Sequence, residues 1–190
     1  MRWKRLFLAI KIPGELREKL EAYKRKNLDP RVFQVVDSNN FHLTIIFLGK
    51  RREDKIPLIK KVISSVISCS SLENISLREI DYGPYYRNPH LVWLKGNYNP
   101  DWEKLRDQII KQLVKAGINF QESKGHFIPH ITLARIRKYS PLPLPRRKQI
   151  RQLLPFTFAP SSLWLIESQL FPQGAKYQDV AKFLIPKSNF

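Results

Sequence analysis

The chain carries a single cysteine, Cys69, in 190 residues, so it holds no internal disulfide. That excludes a small secreted scaffold held by bridges, and a cytoplasmic location is the expectation. No apolar stretch approaches the roughly 18 residues of a membrane helix, and no membrane contact is expected. The opening "MRWKRLFLAIKIP" has an apolar centre of only Leu6 to Ile10, followed by a lysine and then a proline. It is too short for a signal peptide and reads as a first buried strand. Acidic residues are scarce: 16 Asp and Glu stand against 34 Lys and Arg, a formal net charge of +18. Such a field attracts polyanions, with nucleic acid the leading partner class. Scattered lysines such as Lys60, Lys61, Lys111 and Lys115 also serve simply as solvated helix surface, so charge alone decides no chemistry. Histidine is rare too, with four in the chain, which gives weight to where each one falls.

The length suffices for one domain with a substantial core. "RLFLAI" (5–10) has strand length. Pro13 then opens "PGELREKLEAYKRK", with Leu16, Leu20 and Tyr23 on one helical face. "FQVV" (33–36) and "FHLTIIFLG" (41–49) read as strands, and Ile56, Ile59, Ile63, Val66 and Ile67 share a face of a second helix. The order then recurs. "HLVWLKG" (90–96) is a strand. Asn99 caps a helix begun by Pro100, with Trp102, Leu105, Ile109 and Leu113 on one face and Gly117 at its end. "HITLARI" (130–136) is the next strand. A short helix over 146–154 and strands over 162–170 and 177–185 complete the reading. Pro13 precedes His42 by 29 residues and Pro100 precedes His130 by 30. The pattern predicts a single bilobal domain over 1–190, with halves of about 1–72 and 73–190 facing each other across an approximate two-fold axis.

Each half carries His-x-Thr in an apolar strand: "FHLTIIF" and "PHITLAR". Residues i and i+2 of a strand share a face. His42 and Thr44 therefore project together, opposite Phe41, Leu43, Ile45 and Phe47, which are expected in the core. His130 and Thr132 likewise oppose Ile131 and Leu133. A two-fold axis would turn both polar faces toward one cleft. Imidazole titrates near 6.5, so two of them on opposite sides of a phosphorus suit in-line displacement, one taking a proton from water and one protonating the departing oxygen. Two hydroxyls can hold the non-bridging oxygens. The scheme requires no metal or other cofactor. A lone His-x-Thr is more often packing than chemistry; two copies at matched positions are much harder to ascribe to chance.

"FHLTIIFLG" and "PHITLAR" resemble the paired motifs of the two-histidine phosphoesterases, and within them the RNA 2′,3′-cyclic phosphodiesterases, also described as 2′-5′ RNA ligases. "RLFLAI", "HLVWLKG" and "LIESQLFPQGAKYQDVAKF" extend the resemblance over nearly the whole chain. It implies an α+β fold in which two lobes set antiparallel sheets against a central cleft, with helices packed outside. It implies hydrolysis of an RNA-terminal 2′,3′-cyclic phosphate to a 2′-phosphate, with reversible 2′-5′ ligation as a variant. By motif, His42 would be the proton donor and His130 the proton acceptor, with Thr44 and Thr132 on the phosphate. Arg135, which closes "HITLAR", matches an arginine of the second motif. It has the parity of Ile131 and Leu133, so a bend or bulge is needed to turn it inward. The chain has His90 where the family often has arginine. The implied partner is RNA with cyclic phosphate ends, tRNA fragments among them, and a monomer is expected.

Other residues have a weaker claim to function. His126 and His130 are four apart, but Pro129 between them argues against a helical metal pair, and no metal site is expected. Tyr82, Tyr85 and Tyr86 either stack on bases or pack at the foot of a turn. The contexts of Trp3, Trp93, Trp102 and Trp164 point to the core. The competing reading of the whole chain is a basic, non-catalytic RNA-binding module.

Overall fold

The computed structural model describes residues 2–70, 72–85, 87–119, 126–171 and 174–186. Chain order is β1 (Trp3–Lys11), α1 (Gly14–Asn27), β2 (Phe33–Val35), β3 (His42–Arg52), α2 (Ile56–Ile67), β4 (Ile75–Gly83), β5 (Leu91–Gly96), α3 (Pro100–Lys115), β6 (His130–Ile136), α4 (Arg147–Ile150), β7 (Gln152–Phe158), β8 (Ser162–Phe171) and β9 (Gly174–Leu184). The fold is α+β. The strands form one antiparallel nine-stranded sheet in the order β7-β4-β5-β6-β3-β1-β8-β9, with β2 added on β6. The two expected sheets are thus joined, through a single Cα pair at the centre, Leu43 opposite Ile131.

The strand–helix–strand repeat lies symmetrically about that pair. β3 and β6 meet at the middle, β1 flanks β3, and β5 flanks β6. The halves interlock rather than separate at residue 72. β8 and β9, from the second half of the chain, complete the sheet beside β1. α1, from the first half, reaches the second, where the Tyr23 hydroxyl donates to the Ile150 carbonyl.

The helices bury the stripes that the sequence marks. Leu16 and Leu20 of α1, Ile59 and Ile63 of α2, and Trp102 and Ile109 of α3 join one continuous core with Leu6, Leu8, Leu43, Leu94, Ile131 and Leu165 from the sheet. The Asn99 side chain caps α3 by accepting from the Asp101 and Trp102 amides, and Gly117 (φ +77°) ends it. Trp102 donates its indole N–H to the Glu73 carbonyl at 2.9 Å, which satisfies a ring that is otherwise fully buried. Among the described residues, the opposite sheet face carries a small buried apolar cluster of Phe7, Ala9 and Ile166, with Trp164 and Tyr177 against it.

Bulges decide which side chains reach that second face. Ala9 pairs with Thr44 but Leu8 with Ile46, so β3 carries an extra residue, Ile45. Ile45 and Ile46 are therefore both buried, and Phe47 emerges on the side of His42, 64% exposed. Simple alternation put Phe47 in the core, and the bulge reverses it. A second bulge follows at Leu48, where Gly49 accepts φ +71°. On β6, Trp93 pairs with Thr132 but Val92 with Ala134, so Leu133 is the extra residue.

Candidate active site

The pair Leu43–Ile131 fixes the geometry of the site. Both side chains are fully buried on the helix side. Stepping one residue along antiparallel strands sets His42 opposite Thr132 and Thr44 opposite His130. The two His-x-Thr motifs therefore cross, and four polar side chains from residues far apart in sequence share one patch of the outer face. All four are partly buried.

Both imidazoles are anchored in the same way. His42 Nδ1 lies 2.7 Å from the Asn40 carbonyl oxygen, and His130 Nδ1 lies 3.0 Å from that of Ile128. A carbonyl only accepts, so each Nδ1 carries the proton and donates it. In the neutral ring this leaves the Nε2 lone pair for chemistry. His42 Nε2 is 3.0 Å from the Thr44 hydroxyl, which donates to it in that state. Among the described residues, no hydrogen bond joins His130 to Thr132.

The walls of the site are aromatic. Phe7 and Tyr177 stand against His42 at centroid separations of 4.9 and 5.2 Å, and Trp93 lies 4.9 Å from His130. Burial pulls the His42 imidazole below its ordinary pKa; the Asn40 carbonyl opposes this, and the charge of His130 deepens it. Burial lowers His130 as well, against the Ile128 carbonyl. Burial raises the Tyr177 phenol, while the charges of Arg135 and Arg5 pull the other way.

Arg135 gains its inward turn from the Leu133 bulge. It pairs with Leu91, two residues from Trp93 on the same face of β5, and with Gln34 of β2, and its side chain is exposed. Strand parity alone sent it to the core face.

Trp93 and Tyr177 are the contributors that sequence reading missed. The apolar context of Trp93 points to the core, yet the side chain is half-buried on the site face. Its indole lies over Gly83, where an added Cβ would come 2.3 Å from a ring carbon. The glycine that ends β4 was the available signal, because a glycine in a strand often marks a close approach. Trp164 also sits on the outer face, beneath Lys11 Nζ at 4.0 Å, and Trp3 is 59% exposed; only Trp102 is a core tryptophan. The tyrosines divide: Tyr82 is buried and donates to the Pro145 carbonyl at 2.9 Å, Tyr85 is 70% exposed, and Tyr86 lies outside the described residues. His126 contacts Glu103 at 3.3 Å, on α3. His90 is exposed at the foot of β5. Among the described residues, no three His, Cys, Asp or Glu side chains gather where they could hold a metal ion. No described helix is long and apolar enough to cross a membrane.

A family model described as the 2′-5′ RNA ligase superfamily matches residues 12–170. An RNA 2′,3′-cyclic phosphodiesterase of Escherichia coli is 31% identical over 69% of this chain and 71% of its own. One of Methanocaldococcus jannaschii is 28% identical over 70% and 72%. Among solved structures, TT0787 of Thermus thermophilus has a TM-score of 0.79 at 26% identity, covering 95% of this chain and 97% of that one. E. coli LigT complexed with 3′-AMP gives 0.72 at 24% identity, over 98% and 100%. With its crossed His-x-Thr pair at the centre of the sheet, the chain belongs to the 2′-5′ RNA ligase superfamily of two-histidine phosphoesterases.

Proposed function

We propose that the protein hydrolyses the 2′,3′-cyclic phosphate at an RNA end to a 2′-phosphate, with the two imidazoles as acid and base. A water molecule attacks phosphorus opposite the 3′ oxygen. His130 Nε2 takes the water proton as the new P–O bond forms. The bond from phosphorus to the 3′ oxygen breaks, and His42 Nε2–H protonates that oxygen, leaving a 2′-phosphate and a 3′-hydroxyl. Solvent then returns the proton to His42 and removes the one on His130. Thr44 and Thr132 donate to the non-bridging oxygens, and Arg135 offsets their charge. The protons and bonds balance without a metal, so a chelator is expected to leave the rate unchanged. With an RNA 5′-hydroxyl in place of water, the same steps make a 2′-5′ link.

The observation that carries this reading is the crossed placement about Leu43–Ile131, with each Nδ1 held by a carbonyl two residues upstream. It supports two rings held with Nε2 available from opposite sides of a shared gap. The names of the curated relatives support the substrate. The test is turnover of a nucleoside 2′,3′-cyclic phosphate in EDTA, with the product identified by phosphorus NMR. Formation of the 2′-monophosphate is expected. Salt-sensitive RNA binding without turnover would instead favour a non-catalytic RNA-binding module.

A further inference from the structure

We infer that the RNA upstream of the terminal nucleotide runs along β1 and β3, over a ladder of aromatic and cationic pairs that leads away from His42. This rests on the proposed function for its starting point. A 2′,3′-cyclic phosphate closes the 3′ end of a strand, so the rest of the RNA leaves the site in the 5′ direction only.

The register of β1 on β3 lays out the ladder. Beyond Ala9–Thr44 come Phe7 opposite Phe47, then Arg5 opposite Lys50, then Trp3 opposite Arg52, whose guanidinium is already bound to Asp54 at 2.9 Å, so Arg5 and Lys50 are the cations the ladder offers. All lie on the face that carries His42, because the two bulges of β3 bring Phe47 and Lys50 to that side. The Phe7 and Phe47 centroids are 6.2 Å apart. Arg5 and Lys50 are both exposed, and among the described residues neither has a carboxylate within salt-bridge distance. Two like charges set directly opposite each other destabilise a sheet. Their juxtaposition is a cost with no offsetting contact inside the fold, and a polyanion offsets it. Alternation of stacking faces with cations is the surface that holds single-stranded nucleic acid.

The other half of the same face is unsuited to the task. There Asp81 and Glu79 lie across from Trp93 and Lys95. Arg147 and Arg151 are already engaged by those carboxylates, Arg151 Nε at 2.8 Å from Glu79. A phosphate there would meet two carboxylates and cations already committed to them. The occupant that fits the first half is therefore single-stranded RNA.

The test compares Arg5→Gln/Lys50→Gln with wild type on two probes. One is a nucleoside 2′,3′-cyclic phosphate. The other is a short oligoribonucleotide, cyclic-phosphate-ended for turnover and 2′-phosphate-ended for equilibrium binding by fluorescence anisotropy. The double variant should change kcat/KM on the nucleoside far less than it changes oligonucleotide binding. It should weaken oligonucleotide binding about 25-fold at 0.1 M salt, as two contacts each worth about 0.7 in log K per tenfold change in salt require. The salt slope should fall by about 1.4, and the difference should vanish near 1 M. Phe47→Ala should weaken binding by about tenfold with less salt dependence. Lys60→Gln/Lys61→Gln, on the helix side, should change neither probe. Unchanged oligonucleotide binding in the Arg5/Lys50 variant, or an equal loss from the Lys60/Lys61 pair, would overturn the inference. Failure of the wild type to turn over the nucleoside would overturn the proposed function instead, and the anisotropy series would still judge the ladder.

Discussion

The two His-x-Thr segments share a spelling and a backbone anchor, yet their surroundings differ. His42 is walled by Phe7 and Tyr177, and its cleft-side nitrogen already has a partner in Thr44. His130 rests on Trp93, and its Nε2 has no hydroxyl bonded to it among the described residues. A base needs an open lone pair, whereas an acid gains from a neighbour that orients its proton. On the proposed mechanism, this difference would suit His130 to the base and His42 to the acid. A duplicated fold can thus supply symmetric geometry while its side chains make the chemistry directional. The charge on the outer face follows the same lesson. In one half Arg5 and Lys50 face each other with no carboxylate at salt-bridge distance among the described residues, whereas in the other Arg147 and Arg151 are tied to Asp81 and Glu79. Burial favours the neutral form of Asp81, but hydrogen bonds from Arg147 and the Tyr82 amide, with the charges of Arg147 and Lys95, together hold the carboxyl below its ordinary range.

The largest expected effect comes from the histidines. His42→Ala and His130→Ala should each lower kcat on a nucleoside cyclic phosphate by about 10³-fold or more, with the circular dichroism spectrum unchanged. Equal behaviour of the two in rate is compatible with distinct roles; their pH profiles should separate them. His130→Ala removes the basic partner and also the charge that depresses His42, so the remaining titration should move up. The threonines come next. Thr44→Val and Thr132→Val should each cost about 100-fold in kcat. Only Thr44→Val should also displace the limb that belongs to His42, because only Thr44 is bonded to its own histidine. Identical profiles for the two valine variants would remove the asymmetry.

Gly83→Ala tests the support beneath His130. The new methyl would collide with the Trp93 ring, so the indole must move. A loss of about 1–3 kcal/mol in stability is expected from overpacking. A roughly tenfold drop in kcat should accompany it as His130 loses its wall. Stability loss with full activity would show that Trp93 does not position the ring.

The smallest effect is in wild-type pH dependence. Burial lowers both imidazoles from their ordinary value of about 6.5, so the bell of kcat/KM should centre below that value. The same depression bears on stability. Below about 6.5 the unfolded chain binds more protons than the folded one, so this contribution is intact above that pH and lost as pH falls through it. Denaturant midpoints from pH 7.5 down to 5 should decline, and by less in His42→Ala/His130→Ala.

Much of this was readable from the residues. Helical stripes with proline starts and the Asn99 cap located α1, α2 and α3, because spacing and capping act locally. The paired motifs marked the candidate site, because strand alternation holds around each histidine. The bulges were hidden. Ile45 beside Ile46, and Leu133 beside Ala134, are apolar on both sides of the extra residue, so the pattern offers no sign that parity has changed. Phe47 was misdirected for that reason, and Arg135 reaches the outer face only through such a bulge. β4 escaped notice because its own register shifts between Leu77 and Glu79. β7 contains Pro155, which argues against a central strand; β7 is the outermost strand, where proline is tolerated, and the helix expected over 146–154 stops at Ile150. The return of β8 and β9 to the first half depends on long-range pairing, which local pattern cannot express.

The central claim is that His42 and His130 act on one phosphorus from opposite sides. Single-turnover hydrolysis of a nucleoside 2′,3′-cyclic phosphate in ¹⁸O-water, read by phosphorus NMR for wild type and both alanine variants, tests it most directly. The account predicts a 2′-monophosphate carrying one ¹⁸O on phosphorus, formed by wild type alone. A 3′-monophosphate, or either alanine variant turning over at the wild-type rate, would contradict it.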